Sequence, residues 1–175
     1  MNVIAFAAST SSQSINKQLV QYASSLLDGA HAEILDLNDY AMPVYSMDEE
    51  AANGVPEAAK ALLAKIQSAD ALMISFAEHN GSYAAAYKNI FDWMSRVEMK
   101  VFNGKPMVLL STSPGKGGAS SVLAQAVASV PHFGGEVKAS MSVPSFGESF
   151  DAESGVLKTP ELQQALKEAV RSLSA

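Results

Sequence analysis

The chain has 175 residues, 18 acidic against 12 basic for a formal charge of −6, 48% hydrophobic residues and no cysteine. That length suits one domain spanning residues 1–175, and without cysteine there is no disulfide scaffold, thiolate zinc site, iron–sulfur cluster or thiol nucleophile. A net acidic chain has no surplus of cations to displace the counterions of a nucleic acid. The longest apolar run, Val3 to Ala8, is far too short to cross a bilayer. No basic stretch precedes it and no small-residue cleavage site follows, so the expectation is a cytoplasmic protein with no membrane partner.

Short apolar runs alternate with helical patterns five times. Val3-Ile4-Ala5-Phe6-Ala7-Ala8 is apolar on both faces, as in a buried parallel strand. Ile15, Leu19, Tyr22, Ala23, Leu26 and Leu27 then fall at helical spacing, with Gly29 as the stop. Ala32 to Leu37 alternates as a strand nearer the sheet edge, and Asn38 to Val55 reads as a long irregular loop of the functional kind. Pro56 opens a second helix carrying Ala59, Leu62, Leu63 and Ile66. Asp70 to Ala77 is a third strand, and Tyr83, Tyr87, Ile90, Phe91 and Met94 line a third helix. Met107 to Leu110 is a fourth strand, followed by a glycine-rich loop and a helix carrying Val122, Leu123, Ala126, Val127 and Val130. Val137 to Val143 is a fifth strand, and Leu162, Leu166, Val170 and Leu173 mark a closing helix. Five βα units in series predict a doubly wound α/β sheet of five parallel strands in order 2-1-3-4-5, with helices on both faces. Its ligand belongs at the carboxyl ends of strands one, three and four.

Three loops lie there. Ser9 to Asn16 is rich in hydroxyls and feeds a helix N-terminus, which suits a phosphate, although Ser14 as a plain N-cap would explain it too. Neither the GxxxxGK[ST] loop nor the three-glycine dinucleotide fingerprint follows the first strand, so a phosphate held here is a mononucleotide's, as in FMN. Glu78-His79-Asn80-Gly81-Ser82 follows strand three; Asn80 and Gly81 tolerate positive φ and allow a tight turn under a flat ligand. His79 is a base, a metal ligand, a stacking group or simply an exposed turn residue, and no cluster at metal spacing surrounds it. Ser113-Pro114-Gly115-Lys116-Gly117-Gly118 follows strand four, and offers either backbone donors to the edge of a flavin, with Lys116 adding charge, or a mobile surface loop.

With these loops in place, the chain resembles the NAD(P)H-dependent FMN reductase family of flavodoxin-like proteins, which includes quinone, azo and chromate reductases. The run from Glu78 to Ser82 is similar to the family's P-E-Y-N-x-S, and Lys88-Asn89-Ile90-Phe91-Asp92-Trp93-Met94-Ser95-Arg96 to its K-N-x-x-D-W-x-S-R. Ser9, Ser14 and Asn16 match the phosphate motif, Leu37, Pro43 and Tyr45 a D-L…P-x-Y stretch, and Ser113-Pro114-Gly115 the glycine loop. The chain departs from the pattern at Ala8 for Gly, Ser11 for Arg, Ala77 for Pro and His79 for Tyr. Loss of the guanidinium leaves the phosphate to hydroxyls and helix-end N–H groups.

The resemblance implies FMN bound by Ser9, Ser11, Ser14, Ile15, Asn16, Glu78, His79, Asn80, Gly81, Ser113, Gly115, Lys116 and Gly117, with no metal and no protein acid or base. It implies ping-pong transfer of hydride from NAD(P)H to FMN, then of two electrons to a small-molecule acceptor such as a quinone, flavin, azo compound or oxyanion. A flavodoxin-type electron carrier is the alternative. It also implies a homodimer or homotetramer, with Tyr87, Phe91 and Trp93 at the contact. Tyr87 and Phe91 equally fit a core stripe, whereas Trp93 lies off it and is expected at the surface.

Overall fold

The computed structural model describes residues 1–174. Five parallel strands, β1 (Asn2–Ala8), β2 (His31–Leu35), β3 (Ala71–Phe76), β6 (Pro106–Thr112) and β7 (Glu136–Val143), form one sheet in the order β2-β1-β3-β6-β7. Counted along that sheet alone, the order is the expected 2-1-3-4-5. A hairpin of two-residue strands, β4 (Glu78–His79) and β5 (Ser82–Tyr83), lies between β3 and β6 along the chain, and a second, β8 (Phe150–Asp151) and β9 (Val156–Leu157), follows β7.

Both faces of the sheet are covered, which explains why β1, β3 and β6 are mainly apolar, with Ser75, Ser111 and Thr112 the buried polar residues toward their carboxyl ends. Alternate side chains point to opposite faces. Ile4, Phe6, Leu72 and Ile74 pack under α3 (Glu57–Ser68), α4 (Ala85–Val97) and α5 (Ser120–Ser129), which contribute Leu62, Ile66, Ile90 and Val122. Val3, Ala5, Met73 and Val108 pack on the other face under α1 (Ile15–Ser25) and α7 (Pro160–Arg171), which contribute Leu19, Val20, Leu166 and Val170.

Several boundaries differ from the expectation. Helix α1 ends at Ser25, before Gly29, because Leu26 and Leu27 already turn back onto Ala23 and Ser24. The second strand spans His31–Leu35, so Leu37 falls in a 3₁₀ turn, Leu37–Tyr40. The stretch expected to be irregular contains α2 (Met47–Asn53), capped by the Ser46 hydroxyl. It buries no side chain, so no apolar periodicity announces it. Tyr83 sits in β5 rather than on the helix, and a single helical turn, α6 (Phe146–Ser149), follows β7.

Trp93 corrects an expectation outright. Instead of lying at the surface it is fully buried, because the segment after β2 folds over that side of α4. Its indole N–H donates to the Pro43 carbonyl at 2.8 Å, and Tyr45 meets it edge-to-face at 4.9 Å. Asn89 accepts from the Tyr45 N–H and donates to Pro43, while Arg96 pairs with Glu50. The K-N-x-x-D-W-x-S-R run is therefore largely a staple holding residues 43–50 on α4. Trp93→Phe removes one bond from a carbonyl that Asn89 still satisfies, so it is expected to cost about 1–2 kcal/mol of stability in chemical denaturation; an unchanged midpoint would mean the staple carries no energy.

Candidate functional site

Beyond Ala8 the chain turns through Ser9–Ser14 into α1. Ser14 is the N-cap, its hydroxyl oxygen accepting from the Lys17 N–H at 3.2 Å. Ser9 accepts from the Ser11 N–H at 3.2 Å, and Ser11 from the Gln13 N–H at 3.3 Å. Each of these hydroxyls thus spends a lone pair on its own loop, and among the described residues none of their protons has an acceptor. Ile15 and Asn16 carry the first helical N–H groups, which a helix cannot satisfy internally. The loop itself contains no cation. The nearest along the chain, Lys17, is bound to Asp36, whose carboxyl it holds down to about 2 with help from the Asn38 N–H. The positive potential here is that of the helix end.

Asn16 faces the other way. Its buried side chain accepts from the Thr112 N–H and donates to the Thr112 carbonyl, both at 3.1 Å, and accepts from the Ser75 hydroxyl at 2.8 Å. Only its backbone N–H is left for a ligand. The side chain instead binds the start of α1 to β3 and to the end of β6.

The Asn80-Gly81 turn has φ of 52° and 76°, so both residues are left-handed, as a two-residue hairpin loop prefers. Ser9, Thr10, Ser11, His79 and Ala84–Ala86 line an open cleft of about 450 Å³, which brings the first and second loops together. Among the described residues, His79 is its only titratable lining side chain. Glu78, next to it in sequence, points away from this cleft and accepts from the Val122 N–H of α5 at 2.8 Å.

The third loop lies at the neighbouring strand end and does not line that cleft. It is fastened from behind: the Gly115 carbonyl accepts from the Gly118 and Ser145 N–H groups, and the Ser113 carbonyl from Phe146. Gly115, Lys116 and Gly117 are exposed; a Cβ on Gly115 would meet only the Ser113 hydroxyl, at 3.9 Å, and one on Gly117 would stand in open space. Gly118, not among the expected residues, is the constrained one. A Cβ there would come within 2.3 Å of the Ser142 hydroxyl and 3.0 Å of the Pro144 nitrogen, and its φ is +57°. The signal for it was a third glycine within four positions, Gly115, Gly117 and Gly118, just before a helix.

Tyr83, in the second strand of the hairpin, and Tyr87, in the first turn of α4, have their phenols pushed up by burial, and both stay neutral. Among the described residues, no three His, Asp or Glu side chains gather as a metal site, and no helix is long and apolar enough to cross a membrane.

The profile of a family described as NADPH-dependent FMN reductase matches residues 1–146. The chain is 34% identical over 121 residues to an NAD(P)H-dependent FMN reductase of Pseudomonas aeruginosa, covering 69% of this chain and 64% of that protein. It is 36% identical over 104 residues to a 2-hydroxy-1,4-benzoquinone reductase of a Burkholderia species, covering 58% of this chain and 55% of that one. The match thus spans less than two thirds of either relative. Among solved structures, the flavoenzyme NAD(P)H:(acceptor) oxidoreductase of Paracoccus denitrificans superposes with a TM-score of 0.77 at 27% identity, over 98% of this chain and 94% of that one. A flavodoxin of Pseudomonas aeruginosa, at TM-score 0.61 and 14% identity over the whole of both chains, shares the fold. With the sheet order and the hydroxyl-lined helix end both in place, the chain belongs to the NADPH-dependent FMN reductase family.

Proposed function

We propose that the chain is a flavin-dependent oxidoreductase that passes a hydride from NAD(P)H to FMN and then two electrons to an organic acceptor, with quinones the leading class. The observation that carries this reading is the set of uncommitted donors at the start of α1. Three serine hydroxyls, each already fixed by a backbone N–H, and two free helix-end N–H groups suit the oxygens of a phosphate monoester. Ser9, Ser11, Ser14 and the Ile15 and Asn16 backbone would hold that phosphate. His79, Asn80 and Gly81 on one side, and Ser113, Gly115, Lys116 and Gly117 on the other, would hold the ring. FMN, when bound, supplies the ring that accepts a hydride and gives up two electrons.

The protein's own part is positional. The left-handed Asn80-Gly81 turn keeps side-chain bulk low where a flat ring would lie, and the open cleft leaves room for donor and acceptor to come and go in turn. NAD(P)H loses hydride and leaves as NAD(P)⁺; that hydride carries both electrons and one proton, and with a second proton from solvent a quinone would leave as hydroquinone. The names of the Pseudomonas and Burkholderia relatives support this donor and acceptor chemistry.

The same reading includes a homodimer or homotetramer. Val44 and Met47, 82% and 79% exposed, lie within the segment stapled to α4, and the half-exposed Val97 and Met99 lie at the end of that helix and just beyond it. Sedimentation equilibrium tests the assembly: a dimer or tetramer is expected, and a monomer contradicts it.

Steady-state NADPH oxidation by the purified chain with FMN and menadione tests the activity. Turnover well above that of free FMN is expected; turnover equal to free FMN contradicts an enzyme and leaves an electron carrier. Ser11→Arg restores a guanidinium to a phosphate loop that has none, so FMN affinity is expected to rise about tenfold. Unchanged affinity would show that Ser11 does not face the phosphate.

A further inference from the structure

The entry into α5 is an unusual helix start. Gly118 and Ala119 are consecutive left-handed residues, with φ of 57° and 62°. An alanine in that conformation costs about 1–2 kcal/mol. Ala119 is also the N-cap, and it has no side-chain oxygen to accept from the first turn. The missing acceptor comes from another element: Glu78 Oε2 takes the Val122 N–H at 2.8 Å, placing a carboxylate at the positive end of the helix.

Two more bonds continue along the same helix. The Ser82 hydroxyl donates to Gln125 Oε1 at 3.0 Å, and the Tyr83 and Ser129 hydroxyls pair at 2.9 Å. Residues 122, 125 and 129 recur at helical spacing and lie on one face of α5. The 78–83 hairpin is therefore laid along α5 by three rungs, the first of which closes the glycine loop. Serines fix the far side of that loop, with Ser111 and Ser142 both donating to the Gly118 carbonyl at 2.8 Å.

We propose that Glu78 is a positioning residue that sets the distance between the Asn80-Gly81 turn and the 113–118 loop, so that the two walls of the flavin-ring site are held as one unit before the cofactor arrives. Its carboxylate acts through the α5 backbone and does not touch the ring. The inference rests on the functional reading above. It also predicts a physical coupling that exists without any ligand.

The test uses the full chain with Glu78→Ala, Glu78→Gln and Ser82→Ala. FMN dissociation is read by fluorescence quenching, the shape of the bound-flavin absorption bands by visible spectroscopy, and the mobility of residues 118–123 by amide hydrogen exchange. Glu78→Ala is expected to weaken FMN about five- to tenfold, the equivalent of one lost helix cap. It should also alter the bound-flavin bands and speed exchange at Val122 and the glycine loop. Glu78→Gln keeps an oxygen facing the Val122 N–H and should stay within about twofold of native with native bands. Ser82→Ala should fall between the two. Native protein that leaves FMN fluorescence unquenched overturns the functional reading and this inference with it. Native binding matched by Glu78→Ala overturns the inference alone, as does a Gln variant impaired as much as the Ala variant, since that would assign the effect to a direct charge. If Glu78→Ala does not fold, Ser82→Ala decides: weaker FMN supports the coupling, and native affinity contradicts it.

Discussion

The site depends on one buried amide. Asn16 sits at the start of α1, yet its side chain engages both backbone polar groups of Thr112 and the hydroxyl of Ser75. These bonds lie in the core, where a lost partner leaves polar groups without water and costs about 1–3 kcal/mol each. They connect the loop after β1 with β3 and with the end of β6, the three strand ends around which the candidate site is arranged. The outward face of the same helix turn is left with hydroxyl and N–H donors. The inward amide thus secures the geometry, and the outward donors are available for a phosphate.

A second set of contacts does the same for the segment after β2. Trp93, Asn89 and Arg96 on α4 hold Pro43, Tyr45 and Glu50 through hydrogen bonds, an edge-to-face ring contact and an ion pair. The most distinctive stretch of the sequence is therefore scaffold more than chemistry. It keeps the segment after β2 in place beside the cleft, while Thr10 and Ala86 line both that cleft and an adjoining hollow bounded by Asn38 and Met42.

What the sequence makes legible follows from what its periodicity can encode. Strands buried on both faces are nearly continuous apolar runs, so β1, β3 and β6 stand out, and these with the two half-exposed strands, alternating with helical stripes, imply the sheet order. Helix α2 has no buried residue and the hairpin strands are two residues long, so neither leaves a pattern. Trp93 is one of the four buried residues of α4, three residues beyond Ile90, but the loop that covers it is held by a polar neighbour, Asn89, which hydrophobic spacing does not register. The bond from the Val122 N–H to Glu78 was not legible from either residue's surroundings in the sequence. Ala119, at the cap position of α5, lies 41 residues beyond Glu78. Asn80 and Gly81 were legible to the level of backbone angle, because few other pairs tolerate two left-handed residues in succession.

The absence of cysteine from the sequence means that no thiol of this chain relays electrons, and among the described residues His79 is the one titratable side chain lining the cleft. The family's cofactor is FMN, and the central claim is that it is held at the start of α1. The visible absorption spectrum of the purified chain, mixed with FMN and freed of excess by gel filtration, tests it most directly. The account predicts that flavin bands co-elute with the protein at one FMN per chain. Protein that emerges colourless, with all the flavin in the salt volume, would contradict it.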